Sequence, residues 1–88
     1  MQRKCLVINP LDNVAVLLEK SRRGDLIQAG GERIVLRDDI DFGHKAALRR
    51  LKATDAVFKY GEEIGYMLED VPAGAWIHNH NLGCDRGR

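Results

Sequence analysis

Residues 40–82 read IDFGHKAALRRLKATDAVFKYGEEIGYMLEDVPAGAWIHNHNL, and the fold is decided in this stretch. Its apolar runs, Ala56 to Lys59, Glu63 to Leu68 and Ala75 to His78, are short; Ala53-Thr54-Asp55 precedes the first and Val71-Pro72-Ala73-Gly74 precedes the last. Runs of that length bounded by Gly, Pro and Asp are strand and turn signals. The same alternation continues outward, with strands expected at Lys4 to Ile8, Val14 to Leu18, Asp25 to Gln28, Arg33 to Leu36 and Lys45 to Leu48. Reversals fall at Pro10-Leu11-Asp12-Asn13 and Ala29-Gly30-Gly31, where proline fixes φ, glycine permits positive φ, and Asp or Asn can bond the local backbone. The pattern predicts a small all-β domain of short, strongly twisted strands. One segment stays open: His44 to Lys52 also has helical spacing through Ala47, Leu48 and Leu51, and a short helical turn around Arg49 to Lys52 satisfies both readings.

A weak internal repetition favours the β reading. Ile40-Asp41-Phe42-Gly43, Leu51-Lys52-Ala53-Thr54 and Val71-Pro72-Ala73-Gly74 each place an aliphatic residue three positions before a turn-forming one. They read as three related corners, each leading into a strand.

The 88 residues, 44% hydrophobic and 31% charged, suit one small globular domain. A formal charge of +1 gives no global field for a polyanion, and no aromatic residues interleave with Arg22-Arg23 or Arg49-Arg50, so nucleic acid is not an expected partner. The apolar run Cys5 to Ile8 is too short for a signal peptide, nothing approaches a membrane span, and cytoplasmic placement is the default expectation. Without a secretory signal, Cys5 and Cys84 read as thiols.

Two polar clusters exceed what packing requires. Gly43-His44-Lys45 sets an acid-base group beside a cation at a tight corner, a pair suited to a hydroxy acid, with Lys45 binding a carboxylate and His44 moving a proton. His78 and His80, in His78-Asn79-His80-Asn81, share a face if Trp76 to His80 continues as a strand, which is a metal-ligand spacing that lacks a third ligand. The structural readings beside these are a solvated corner and a polar strand end. Lys59 can reach a carboxylate, Tyr60 reads as core packing, and Trp76 as a core anchor. Asp38-Asp39 and Glu62-Glu63 are read as solvated turn charges, and no phosphate loop or nucleophile elbow is present.

The motifs Gly43-His44-Lys45, Lys59-Tyr60-Gly61-Glu62-Glu63-Ile64-Gly65 and His78-Asn79-His80-Asn81, in that order, closely resemble the N-terminal SAF-type domain of the altronate and galactarate dehydratase family. The resemblance implies a β-clip fold over residues 1–82 with a flexible tail at 83–88. The implied role is that of a small subunit that eliminates water from a sugar acid together with a separate large catalytic subunit, and that is inactive alone. His44, Lys45, His78 and His80 are the implied catalytic residues, with Lys59, Asn79 and Asn81 as substrate contacts and His78 and His80 as candidate metal ligands. A divalent metal such as iron would be held mainly by the large subunit. The sulfolactate sulfo-lyase small subunit is similar too and differs in leaving group, and a ligand- or metal-binding module that homo-oligomerises when isolated is the non-catalytic alternative. The chain departs from the family at Thr54-Asp55, where a glycine is usual, and it lacks the large domain.

Overall fold

A computed structural model describes residues 1–84. The strands are β1 (Gln2–Arg3), β2 (Cys5–Leu6), β3 (Val14–Leu17), β4 (Leu26–Ala29), β5 (Glu32–Val35), β6 (Lys45–Ala47), β7 (Ala56–Lys59), β8 (Glu62–Met67), β9 (Trp76–Ile77) and β10 (Leu82–Gly83). They form three sheets, ordered β1-β4-β5, β2-β3-β6-β9 and β10-β8-β7. The all-β expectation therefore holds, and no helix forms among the described residues. The helical turn expected around Arg49 to Lys52 does not form: Leu51 instead exchanges both backbone hydrogen bonds with Val71. Of the expected strand Lys4 to Ile8 only β2 forms, preceded by the separate β1, which runs parallel to β4 while β2 runs antiparallel to β3. The switch is pinned by side chains: Arg3 bonds Asp25 at 2.7 Å, and Glu19 accepts from the Lys4 N–H at 2.7 Å. Of the expected tail, Gly83 pairs with Tyr66 in β10–β8, and residues 85–88 lie outside the described residues.

The three corners read from sequence belong to a set of four, the fourth being Ser21-Arg22-Arg23-Gly24. In each, the fourth residue has positive φ: Gly24 at 92°, Gly43 at 83°, Thr54 at 75° and Gly74 at 87°. The residue after it closes the turn by donating to a carbonyl three positions back, as Asp25 to Arg22, His44 to Asp41, Asp55 to Lys52 and Ala75 to Pro72. First residues pair, Ser21 with Ile40 and Leu51 with Val71. Between paired corners runs a hairpin whose two turn residues both have positive φ, Gly30 (60°) and Gly31 (80°) in β4–β5, Tyr60 (56°) and Gly61 (79°) in β7–β8. That is the primed turn that matches strand twist. Residues 21–47 and 51–78 are thus two copies of one structural unit, and the extra residue of the second copy is taken up by the bulge at Val57/Phe58.

Each unit has its own apolar cluster. Ile27, Ile34, Leu36 and Ile40 gather in one, Val57, Met67 and Val71 in the other, and the sheet β2-β3-β6-β9 contributes to both. Val14 joins one cluster and Ala15 and Leu17 the other, so β3 is buried along its whole length and shows no apolar-polar alternation. Buried Asn13 completes the seam: its amide donates to the Ala56 carbonyl and accepts from the Phe58 N–H, both at 2.8 Å, in the manner of a neighbouring strand. Tyr60, expected in the core, is 41% exposed because the positive φ of its turn directs it outward, where the Lys59 ammonium lies 5.1 Å from its ring centroid.

Candidate functional site

The two polar clusters meet in the central sheet. Antiparallel pairing of β6 with β9 sets Lys45 opposite Ile77 and Ala46 opposite Trp76, so the residues just beyond, His44 and His78, face each other. Their rings stack at 4.6 Å with planes 20° apart. Strand alternation puts Trp76 on the same face as His78, with ring centroids 5.4 Å apart, and the Trp76 indole N–H donates to His44 Nδ1 at 3.2 Å. An acceptor Nδ1 leaves the proton of neutral His44 on Nε2, which makes that nitrogen the donor available to a ligand.

The strand does not continue to His80, as the shared-face reading of His78 and His80 supposed. β9 ends at Ile77, and the chain turns, with the Asn81 and Leu82 N–H groups both donating to the His78 carbonyl. His80 folds back over Trp76, its ring centroid 4.6 Å away and tilted by 42°. Asn81 makes the turn. It is buried, its Oδ1 accepts from the His78 N–H at 3.0 Å, and its Nδ2 donates to the Trp76 carbonyl at 2.9 Å. Asn79 is exposed at the tip.

His44 and Lys45, adjacent in sequence, leave the chain on opposite faces. Burial lowers the Lys45 ammonium below the usual lysine range, and the positive charge of Lys59 adds to the effect. His78 is also lowered, first by burial and then by the charges of His44, Lys45 and His80. A histidine held neutral in this way is available to accept a proton near neutral pH. The face that carries His44, His78 and Trp76 therefore offers a neutral imidazole and an oriented imidazole N–H donor, while Lys45 leaves on the other face and acts on His78 through its charge.

Among the described residues no group of three His, Cys, Asp or Glu side chains converges to hold a metal ion. His44 and His78 stack face to face, which sets their ring nitrogens in near-parallel planes instead of pointing them at a common centre. Trp76 packs against both His78 and His80.

Reasoning from sequence missed the role of Trp76, which was read as core although it is only partly buried. The signal was available in its position two residues before His78 on the same strand.

Comparison with known proteins matches residues 3–85 to the altronate/galactarate dehydratase SAF domain. Altronate dehydratase of Bacillus subtilis (strain 168) is 40% identical over 84% of this chain, which corresponds to 15% of that protein. Galactarate dehydratase (L-threo-forming) of Escherichia coli (strain K12) is 35% identical over 80% of the chain and 13% of its own length. The (2R)-sulfolactate sulfo-lyase subunit alpha of Paracoccus pantotrophus is 49% identical over 61% of the chain and 81% of its own length. The chain thus spans a small fraction of the dehydratases and most of the lyase subunit. No helix among the described residues is long and apolar enough to cross a membrane.

Proposed function

The chain belongs to the altronate/galactarate dehydratase SAF-domain family, and from that premise we propose that it is the small subunit of a sugar-acid dehydratase, acting as a β-clip domain beside a separate, larger catalytic chain. The observation that carries this reading is the stacking of His44 on His78, which unites the two motifs in one proton-handling site. In the proposed reaction the sugar acid lies on the face of the sheet that carries His44 and His78. The proton on the carbon adjacent to the carboxylate passes to neutral His78, and the imidazolium so formed returns it to the neighbouring hydroxyl, which leaves as water while the His44 Nε2–H hydrogen-bonds the departing oxygen, giving an enol that becomes the keto-deoxy acid. Asn79 at the exposed tip and His80 over Trp76 contact substrate or the larger chain. A divalent metal such as iron, whose chemistry would be Lewis-acid assistance to the leaving hydroxyl, belongs in this reading to the larger chain. The chain alone is inactive, because its own groups are too few to bind, deprotonate and assist departure together.

The sulfo-lyase alpha subunit, matched over most of its length, supports a second reading in which sulfite departs in place of water. One experiment addresses both. The tagged chain is used to capture its partner from native extract, and the complex is assayed with altronate, galactarate and sulfolactate. Keto-deoxy acid formation that falls on His78→Ala or His44→Ala supports the dehydratase, and sulfite release supports the lyase. Turnover by the purified chain alone refutes the subunit model in favour of a self-sufficient enzyme, and a complex active on none of the three refutes it and leaves a binding module.

A further inference from the structure

A cavity of about 220 Å³ opens beside the histidine stack, lined by Lys20, Ser21, Asp39, Asp41, His44 and Trp76. The first pair of corners builds it. Because Ser21 bridges Ile40, the residues flanking them, Lys20 on one side and Asp39 and Asp41 on the other, come to one rim. The floor is Ile40, 1% exposed, and Ser21, whose buried hydroxyl donates to the Glu19 carbonyl and keeps its lone pairs for an incoming donor. Asp39 accepts from the Arg23 N–H through one carboxylate oxygen at 2.9 Å. Among the described residues no hydrogen bond or ion pair engages the Asp41 carboxylate or the Lys20 ammonium.

The lining selects a ligand class. An indole wall accommodates the C–H edges of a polyol, while carboxylate oxygens accept from its hydroxyls. A purely apolar ligand would strip water from Asp39 and Asp41 without replacing those bonds. The volume lies below the range of about 300–1,000 Å³ usual for whole drug-sized ligands, so the cavity suits one portion of a substrate.

We propose that this cavity is the subsite that reads the hydroxylated chain of the substrate, with Trp76 as its wall, Asp39 and Asp41 as hydroxyl acceptors and Lys20 as the partner of a distal carboxylate. The inference rests on the sugar-acid reading above and deepens it: His44 belongs to both the cavity and the stack, so a chain held here ends at the proton-transfer groups.

Trp76 is the single tryptophan of the chain, so its emission and its indole N–H resonance report on the wall directly. The full chain is titrated with galactitol, which has hydroxyls and no charge, with galactarate, and with succinate, which has carboxylates and no hydroxyls. Galactitol and galactarate are expected to perturb Trp76 while succinate at equal concentration does not. Asp41→Asn should weaken both ligands by about tenfold and Lys20→Gln should weaken galactarate alone. Because both side chains are exposed, these variants leave the fold intact. Equal response to succinate and galactitol, no response to any of the three, or unchanged affinity in Asp41→Asn overturns the subsite. A complex that turns over sugar acid with the same KM in Asp41→Asn also overturns it while the subunit reading stands. Polyol binding at Trp76 in a chain whose complex has no lyase activity does the reverse.

Discussion

Asn81 separates a structural brace from a substrate contact, and replacing it gives the sharpest test of how the site is built. The side chain is 2% exposed and makes two bonds within its own loop, accepting from the His78 N–H at 3.0 Å and donating to the Trp76 carbonyl at 2.9 Å. Asn81→Ala removes both and leaves a buried N–H and a buried carbonyl to find water. A typical bond contributes about 0.5–1.5 kcal/mol net, and an abandoned buried group costs about 1–3 kcal/mol. Partial rescue by water entering the vacated space brings the expected loss to about 2–4 kcal/mol. For a domain of this size that is a fall in Tm of about 8–32 °C. Urea unfolding followed by Trp76 emission measures it, since the lost bond ends on the Trp76 carbonyl. Asn81→Asp sharpens the test. It keeps an acceptor for His78 but sets a carboxylate oxygen against the Trp76 carbonyl, so the new carboxyl has a raised pKa in the folded state and the variant regains stability as pH falls, when its O–H can donate. A change below about 0.5 kcal/mol in Asn81→Ala, with ligand affinity lost, would refute the brace and make Asn81 a substrate contact, since surface changes stay within that range.

The remaining expectations concern the corners and the stack. Thr54 is a β-branched residue at φ 75° in a corner whose three counterparts carry glycine, so Thr54→Gly should stabilise by about 1 kcal/mol, read as a higher urea midpoint at unchanged slope. A lower midpoint would mean that the strain is relieved elsewhere. Gly74→Ala should destabilise by more than about 2 kcal/mol, because its φ is 87° and an added Cβ would meet the Val35 carbonyl oxygen, a clash with backbone that cannot rotate away. Wild-type stability in that variant would refute the corner geometry. His78 should titrate below the ordinary histidine value in an NMR pH series. Its folded pKa is depressed, so its contribution to stability is present above about pH 6.5 and is lost as pH falls through the folded value, because the unfolded chain then binds the proton more readily. An unshifted His78, or one unaffected by His44→Gln, would show that burial and neighbouring charge do not act on it.

Much of the architecture was legible in local chemistry. Pro72, Gly74, Gly43 and the Ala29-Gly30-Gly31 run mark reversals because only certain residues take the required φ, and three corners could be aligned by eye. The fourth was hidden because Ser21 stands where the others have an aliphatic residue, and the outward direction of Tyr60 because it takes a positive φ at the position that Gly30 holds in the first hairpin. β3 gave no alternation because both its faces are covered. His44, His78 and Lys59 were visible as chemistry-bearing residues, whereas the engagement of Asn81 within its loop and the wall formed by Trp76 were not.

What the sequence by itself determined is the class of fold, its corners and the identity of the reactive side chains, since φ preferences and apolar spacing act over a few residues. Only the tertiary structure decided that the two motifs form one site. The register that sets Lys45 opposite Ile77 joins segments far apart in the chain, and a slip of one residue would send His78 to the other face of the sheet. That register is held by two buried apolar clusters whose packing is a property of the whole chain, so no local pattern carries it.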